Sequence, residues 1–549
     1  MFDIDKIPFS SYGNYLVISP KHESEDNYLY IRYIGGGDTN YYNSYIFKID
    51  IEIESTEFKP YELIINSKNG GRIYFSFMNS KGLCFKIEET SLNIEMETGR
   101  YDYCYKPDKK SIYALSSKLD QRFLFESDKK IELNEIWNKD RAEKVNICFK
   151  ENQTVFLRNF EVNIDKLNIV SYDLVLNDQK QNFSSFLKND KLNETEILAK
   201  YITWSSVVSK KGKLTKDAMY MSKNWMNNIW SWDHCFNALA LTKEDFDLSF
   251  AQLQVIFDNQ HSSGMLPDFV NDKISYYAFT KPPIHGWTIT FMMDLNKKIL
   301  NKENLLYLFD KLEKWTNYWL KEAVDESGIP YYRHGNESGW DNSTLFQFGV
   351  PVKTPDLLPF LILQMRTLSD IALKLDNLDK HIYWFKKYEN SYKKFMDIFW
   401  DGSKFICIKE NIPYEDFRGN SLISYIPIIL GDLLPEDIMD KLCKDLFVNK
   451  SFLTKYGLAT ESIDSELYIS DGYWRGPIWA PSSFLIIDGL WRGNKKKEAK
   501  ELAERFILLC EENGLCENYN AVTGEGLRDK AFTWTASVYL MLKKEYYKR

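Results

Sequence analysis

One alternation constrains the fold more than any other feature of the chain. From about residue 200 onward the hydrophobic pattern has a period of 3.6. Roughly twelve helical segments follow: 191–209, 232–242, 244–261, 286–299, 303–325, 356–377, 378–400, 418–430, 434–447, 476–492, 494–512 and 530–546. Loops rich in aromatic and acidic residues precede the second, fourth, sixth, eighth, tenth and twelfth, whereas the other connections are short and plain. If twelve helices pair as six hairpins in a closed ring, outer and inner helices alternate and every outer-to-inner connection emerges at one end. Segments 356–377 and 476–492 are apolar nearly all round, as a helix buried on two sides requires, while 303–325 and 494–512 carry Lys and Glu on one face. The rhythm predicts an (α/α)6 barrel over residues 201–549.

Upstream the period is two. Residues 45–53 alternate cleanly, and 63–65, 73–77, 83–87, 92–96 and 154–157 are short apolar runs broken by turn residues. This predicts an antiparallel β-sandwich over residues 1–180, with polar residues 181–200 as a linker. A chain of 549 residues exceeds what one core usually supports, so two domains are expected. Fourteen of the fifteen tryptophans lie at or after Trp204, which puts the shift in composition at the same boundary.

Several function classes are excluded. A net charge of −8 with no Lys/Arg stripe argues against a nucleic-acid partner. The absence of any 18-residue apolar stretch, or of a leader-like run in the first dozen residues, argues against a membrane partner. Eight cysteines are scattered without CxxC or metal-ligand spacing, so a reduced, cytoplasmic chain without cofactor or assigned metal ligands is expected. A structural Ca²⁺ held by dispersed oxygens stays open, and oligomeric state is not legible.

The loops themselves point to sugar. They contain Trp230-Ser231-Trp232-Asp233, Gly264-Met265-Leu266-Pro267-Asp268 with Ile284-His285-Gly286-Trp287, Glu337-Ser338-Gly339-Trp340-Asp341-Asn342-Ser343, Phe417-Arg418-Gly419-Asn420, Tyr473-Trp474-Arg475-Gly476-Pro477-Ile478-Trp479 and Glu517-Asn518-Tyr519-Asn520. Indole faces can cover sugar C–H groups, and neighbouring carboxylates can address hydroxyls and a glycosidic oxygen. Cleavage needs a protonated acid and a second carboxylate facing it across the sugar, hence from a different loop. Asp341 is the acid candidate, because the adjacent Trp340 would disfavour its ionisation; capping the next helix is its bland alternative. Glu517 is the base candidate, with Glu525 in the same loop as its rival. Glu337 is read as holding a neighbouring group. Substrate contacts are expected from Trp230, Trp232, Asp233, Asp268, His285, Trp287, Trp340, Trp474, Arg475 and Trp479. For Asp233, Arg475 and His285, a cap, a salt bridge and a buried histidine are the respective structural alternatives.

In these motifs, in this order over residues ~200–549, the chain resembles glycoside hydrolase family 63, which includes processing α-glucosidase I and bacterial relatives. The resemblance implies an N-terminal β-sandwich, an (α/α)6 barrel and inverting hydrolysis of an α-linked sugar, with an Asp acid and a Glu base at Asp341 and Glu517. The trehalase family shares some motifs, but its Gln-Trp-Asp-x-Pro-x-Gly-Trp segment is replaced here by residues 473–479. The expected function is therefore an inverting exo-acting α-glycosidase, an α-glucosidase first, acting on a small oligosaccharide or glucoside. Trehalase-like and glucosyl- or mannosyl-glycerate hydrolase activities are alternatives. Arg333, His334 and Lys353 are the cations an acidic aglycone would need. A non-catalytic carbohydrate-binding protein or a lyase on the same scaffold completes the set.

Overall fold

The period-two region pairs as its pattern predicts. In the computed structural model, which describes residues 2–547 apart from 23, 25–26, 80–81, 166, 168–169, 189–190, 414–416 and 418, it forms two antiparallel sheets. Across the first, the strands are Leu16–Pro20, Leu29–Tyr33, Tyr45–Asp50, Leu92–Met96, Arg141–Phe149 and Glu132–Asn138. Across the second, they are Ile53–Lys59, Glu62–Ser67, Arg72–Phe77, Leu83–Glu88, Gln153–Phe160, Gln121–Ser127, Ser111–Ser116 and Tyr103–Asp108. Alternation sets the faces. Phe123 and Phe125 of the second sheet reach inward to Phe47 of the first, with ring centroids 5.2 and 5.1 Å away, and Phe85 meets Phe149 at 5.4 Å.

The stretch expected as a linker over 181–200 is instead largely helical: α1 (Tyr172–Leu187) and α2 (Glu194–Ser205) occupy it. Its polar composition hides a narrow buried stripe, Val175, Gln179 and Phe183, at four-residue spacing. Tyr172 and Val175 pack onto Met78, Cys84 and Phe156, and Asn193 with Glu196 closes a capping box at the start of α2. The chain divides into two compact units, residues 1–228 with 271–274 and residues 229–270 with 275–549. The boundary thus lies later than residue 200, and the first helix expected for the barrel belongs to the first unit.

In the second unit six inner segments close a ring. They are α3 (Asp233–Leu241), α5 (His285–Leu295), α7 (Leu357–Lys374), a 3-10 segment (Leu422–Leu433), α10 (Ala480–Arg492) and α12 (Thr533–Met541), and each touches the next, α12 returning to α3. Outside them lie α4 (Phe246–Phe257), α6 (Lys302–Glu322), α8 (Leu378–Phe399), α9 (Glu436–Lys444) and α11 (Lys496–Asn513). Burial separates the two kinds. Fourteen of the eighteen residues of α7 are buried, against three of the twenty-two in α8. The fourth inner segment is not α-helical because Pro427 lacks an N–H and Gly431 takes φ 60°. Side chains of Asp245, Asn301 and Asn377 cap outer helices. Inner helices α3, α5, α7, α10 and α12 begin at Trp232, Ile284, Asp356, Trp479 and Phe532 without a side-chain cap.

Glycine sets how close the inner helices lie. A Cβ on Gly286 of α5 would come within 2.4 Å of Gln364 Cα on α7, and one on Gly489 of α10 within 2.2 Å of the Ile428 carbonyl oxygen. Both obstacles are backbone, so neither can swing aside. Gly286→Ala should destabilise the protein by about 1–3 kcal/mol through overpacking. Denaturant titration checks this, and an unchanged midpoint would show that the ring can widen at no cost.

Candidate active site

Aromatic and acidic loops gather at the N-terminal ends of the inner helices. A small sheet, Ile229–Trp230 with Phe269–Val270 and Ser275–Tyr276, joins two of them. Across it Ser231 N–H donates to the Asp268 carbonyl (3.0 Å) and Asp268 N–H to the Tyr276 carbonyl (2.8 Å). Asp233, the first residue of α3, and Asp268 are thereby buried near one another. The loop carrying Asp341 is shaped by two glycines. Gly339 has φ 73°, and a Cβ there would come within 2.5 Å of the Trp232 ring; one on Gly335 would meet the Asp341 carbonyl oxygen at 2.1 Å. Glu337 folds back on this loop, accepting from Arg333 N–H (2.8 Å) and Arg333 Nε (2.9 Å), so it holds a neighbouring group as its sequence position suggests.

Asn342 ties this loop to the next one. Its side chain accepts from Trp474 N–H (3.0 Å) and donates to the Gly472 carbonyl (3.0 Å), and its own carbonyl accepts from Arg475 Nε (2.7 Å). Glu517 enters through a hairpin, Asn518–Tyr519 against Gly526–Leu527. Its N–H donates to the Asp529 carbonyl (2.7 Å), and Tyr519 exchanges backbone bonds with Ile478 just before α10. Glu525 sits on the same hairpin but is exposed at its outer part, whereas Glu517 is buried.

Two compensated charge groups result. Lys281, itself buried, places Nζ 3.4 Å from Asp268 Oδ1 and 3.6 Å from Asp341 Oδ1. It also donates to the Asn336 carbonyl at 2.9 Å and to the Asn336 side chain. Burial alone would lower the Lys281 pKa, but Asp341, Asp268 and Asp233 raise it above the usual lysine value. Burial pushes Asp233 up to about 8 against the pull of Lys281. It also raises Asp341, again against Lys281, although 36% of the Asp341 side chain still faces open space. Burial together with the Asp529 charge lifts Glu517 to about 8, while Arg528 opposes the shift. Glu517 feels Asp341, and the half-buried Tyr473 feels Glu517, Asp341 and Asp233 together. Tyr473 takes φ 63°, a strained value for a bulky residue.

Several expected substrate contacts turn out to be framework. Trp474 stacks on Trp479 at 4.1 Å and 4°, Trp340 lies 4.8 Å from Trp474, and Trp534 stands edge-on to Trp232 (5.8 Å) and Trp479 (5.4 Å). Trp232, Trp340, Trp474 and Trp479 are 1–2% exposed, so they form a floor rather than platforms. Trp230 alone among the six predicted tryptophans is half-buried and keeps accessible surface. Arg475 spends its Nε on the Asn342 carbonyl. His285 is buried against Phe257 and Trp315, and burial drives its pKa down to about 3, so it is a neutral core residue. Trp287 donates to Asp488 (2.7 Å) and lines a cavity of about 460 Å³ between inner helices, whose lining includes none of Asp233, Asp268, Asp341 and Glu517. Arg418 lies outside the described residues.

Comparison with known proteins assigns the family. The profile described as "Mannosylglycerate hydrolase MGH1-like glycoside hydrolase domain" matches residues 226–535, more than half of the chain. The chain belongs to glycoside hydrolase family 63. It is 23% identical over 409 residues to a mannosylglycerate hydrolase of Rubrobacter radiotolerans, covering 57% of this chain and 89% of that protein. It is 27% identical over 322 residues to a probable mannosyl-oligosaccharide glucosidase of Schizosaccharomyces pombe, covering 52% and 39%. Among solved structures, the family 63 mannosylglycerate hydrolase of Thermus thermophilus in complex with glucose aligns with TM-score 0.56 at 17% identity over 64% of this chain and all of that one. A bacterial glucoamylase complexed with acarbose aligns with TM-score 0.63 at 11% identity over 100% and 95%, which matches the fold across both units.

This family 63 enzyme is thus a glycoside hydrolase with a carbohydrate substrate. Among its described residues, no three His, Cys, Asp or Glu side chains are grouped to hold a metal ion, and no helix is long and apolar enough to cross a membrane. Sequence reasoning missed Lys281, Tyr473, Arg528 and Asp529. Lys281 directly precedes the Pro282-Pro283 pair, and Tyr473 opens a motif otherwise read for its tryptophans, so their positions were marked but their chemistry was not.

The raised Glu517 pKa has a stability consequence. The folded state holds a proton that the unfolded chain releases, so stability falls as pH rises from about 4.5 to about 8. Glu517→Gln should therefore raise Tm more at pH 8.5 than at pH 5. Melting curves at the two values test this; an equal difference at both would place Glu517 in a solvated setting.

Proposed function

We propose that this glycoside hydrolase is an inverting, exo-acting α-glycosidase, with Asp341 as general acid and Glu517 as general base. The observation that carries the reading is the pair itself. Two carboxyl groups from separate outer-to-inner loops gather at one end of the ring, both with pKa values raised chiefly by burial, and the Asp341 charge adds to the rise at Glu517. Asp341 would protonate the glycosidic oxygen while Glu517 draws a proton from water attacking the opposite face of the sugar. Access supports this division of labour. In a pocket the leaving group departs through the mouth, so its acid belongs nearer open space; Asp341 keeps 36% of its side chain there, whereas Glu517 is buried. Activity requires Asp341 protonated and Glu517 ionised at once, so kcat/KM should follow a bell-shaped pH profile, with one limb near the Glu517 value of about 8.

For the substrate, the geometry favours a neutral α-glucoside or small α-linked oligosaccharide. Two of the cations available to an acidic aglycone are already engaged, Arg333 by Glu337 and Lys353 by Asp325. A second reading, a glycerate-linked sugar, is favoured by the match to the mannosylglycerate hydrolase type of domain. A cytoplasmic setting belongs to the same proposal, supported by eight cysteines of which none enters a disulfide.

A panel of p-nitrophenyl α-glucoside, α-linked glucose disaccharides, trehalose, glucosylglycerate and mannosylglycerate separates these readings by which is cleaved. Proton NMR of the first-released sugar should show the β anomer, and an α product would end inversion. Asp341→Asn and Glu517→Gln should each lower kcat by about 10²–10⁴ on natural-type leaving groups. A near-wild-type rate in either variant would remove that residue from proton transfer.

A further inference from the structure

We propose that Lys281 is a positioning residue for the general acid, holding the Asp341 carboxyl in place and stabilising the carboxylate left when its proton moves to the leaving group. The inference rests on the Asp341 assignment above. Its geometry is unusual for a lysine. The ammonium is buried, donates twice to Asn336 on the turn leading into Asp341, and stands 3.6 Å from Asp341 Oδ1 and 3.4 Å from Asp268 Oδ1. Asn336 lies in the short 3-10 turn Gly335–Ser338, so the same cation anchors both the backbone and the side chain of the acid's loop. With its two Asn336 acceptors and two carboxylates, the ammonium is committed to the protein rather than offered to a ligand.

The charges facing Asp341 come from every element around it. Lys281 and His334 favour its ionised form, while Asp233, Glu517 and Tyr473 are the groups on neighbouring elements whose own ionisation the Asp341 charge opposes, and Asp268 shares Lys281 with it. Before transfer the proton on Asp341 makes the site nearly neutral. As the proton moves to the glycosidic oxygen and the C–O bond breaks, the electron pair of the O–H bond stays on Asp341. A new negative charge then appears beside two other buried carboxyl groups, and among the described residues Lys281 is the cation within ion-pair distance that offsets it. The lysine therefore makes Asp341 a stronger acid. The cost is a narrower pH range in which Asp341 keeps its proton.

These two effects predict an unusual pair of changes. Lys281→Met should lower kcat about 10²-fold on a substrate with a poor leaving group, while hydrolysis of the matching glycosyl fluoride, which needs little proton donation, should stay within a few-fold. The limb of the kcat–pH profile that Asp341 sets should also move upward by about 1 unit or more, since an opposite charge at this distance has been removed while burial remains. Lys281→Arg should restore much of the rate and the original limb. Lys281→Gln, which can still bond Asn336, carries the same test if the Met variant does not fold. Equal losses on both substrates with an unmoved pH profile would reduce Lys281 to a structural prop and overturn the proposal. If Asp341→Asn retains full activity on the poor leaving group, the assignment of the acid fails and this inference falls with it. A dead Asp341→Asn beside an unaltered Lys281→Met overturns only the lysine.

Discussion

An inner helix of a closed ring has little face left for water, and much of the second unit follows from that. Every polar group on such a helix must be bonded within the protein or removed. Gln364 on α7 accepts from Gly286 N–H (3.2 Å) on α5 and donates to Thr316 on α6 (3.0 Å), linking three helices through one amide. Thr367 donates back to the Gly286 carbonyl (2.9 Å), and Ser537 of α12 bonds Asn237 of α3 (2.8 Å). Glycine at 286 and 489 lets backbones approach where these bonds need them close. Polar chemistry that cannot be satisfied this way is left to the connections, which is where the carboxylates are found.

The rhythm of helices was legible in the sequence because two-sided burial demands near-continuous apolar runs, as in 356–377, and one-sided burial demands a charged face. The stretch 181–200 was not legible, because Val175, Gln179 and Phe183 are a sparse stripe in a polar background and the capping box at Asn193 is only four residues long. In the site, Asp341 and Glu517 stood out because glycine and aromatic neighbours frame them. The tryptophans misled: an indole stacked on another indole and one awaiting a sugar ring leave the same trace in a sequence, and only burial tells Trp474 from Trp230. Lys281 was invisible for the opposite reason. One cation among 70 lysines and arginines carries no signature of its own, and its role comes from Asp268 in the same connection together with Asp233 and Asp341 from two others.

Electrostatically the site is held in two halves. Lys281 offsets Asp233, Asp268 and Asp341 on one side, and Arg528, itself paired with Asp471, partly offsets Glu517 on the other, where Asp529 adds to the negative charge. Each half keeps more acid than base, so protons are retained where exposed carboxyl groups would have lost them. Reactivity and strain share this origin: the buried charges that tune the acids also make the folded state less favourable at alkaline pH, and the left-handed backbone at Tyr473 adds to the cost.

The bare starts of the inner helices have a consequence for diversification. A helix that begins with a serine or aspartate cap loses its start when the preceding loop changes sequence. Those beginning at Trp232, Ile284, Asp356, Trp479 and Phe532 have no such cap to lose, and Trp232 and Trp479 are instead packed on Trp474 of a neighbouring loop. Where such a helix starts is therefore set by several loops packed together rather than by one capping side chain, so a change in one loop is felt by its neighbours.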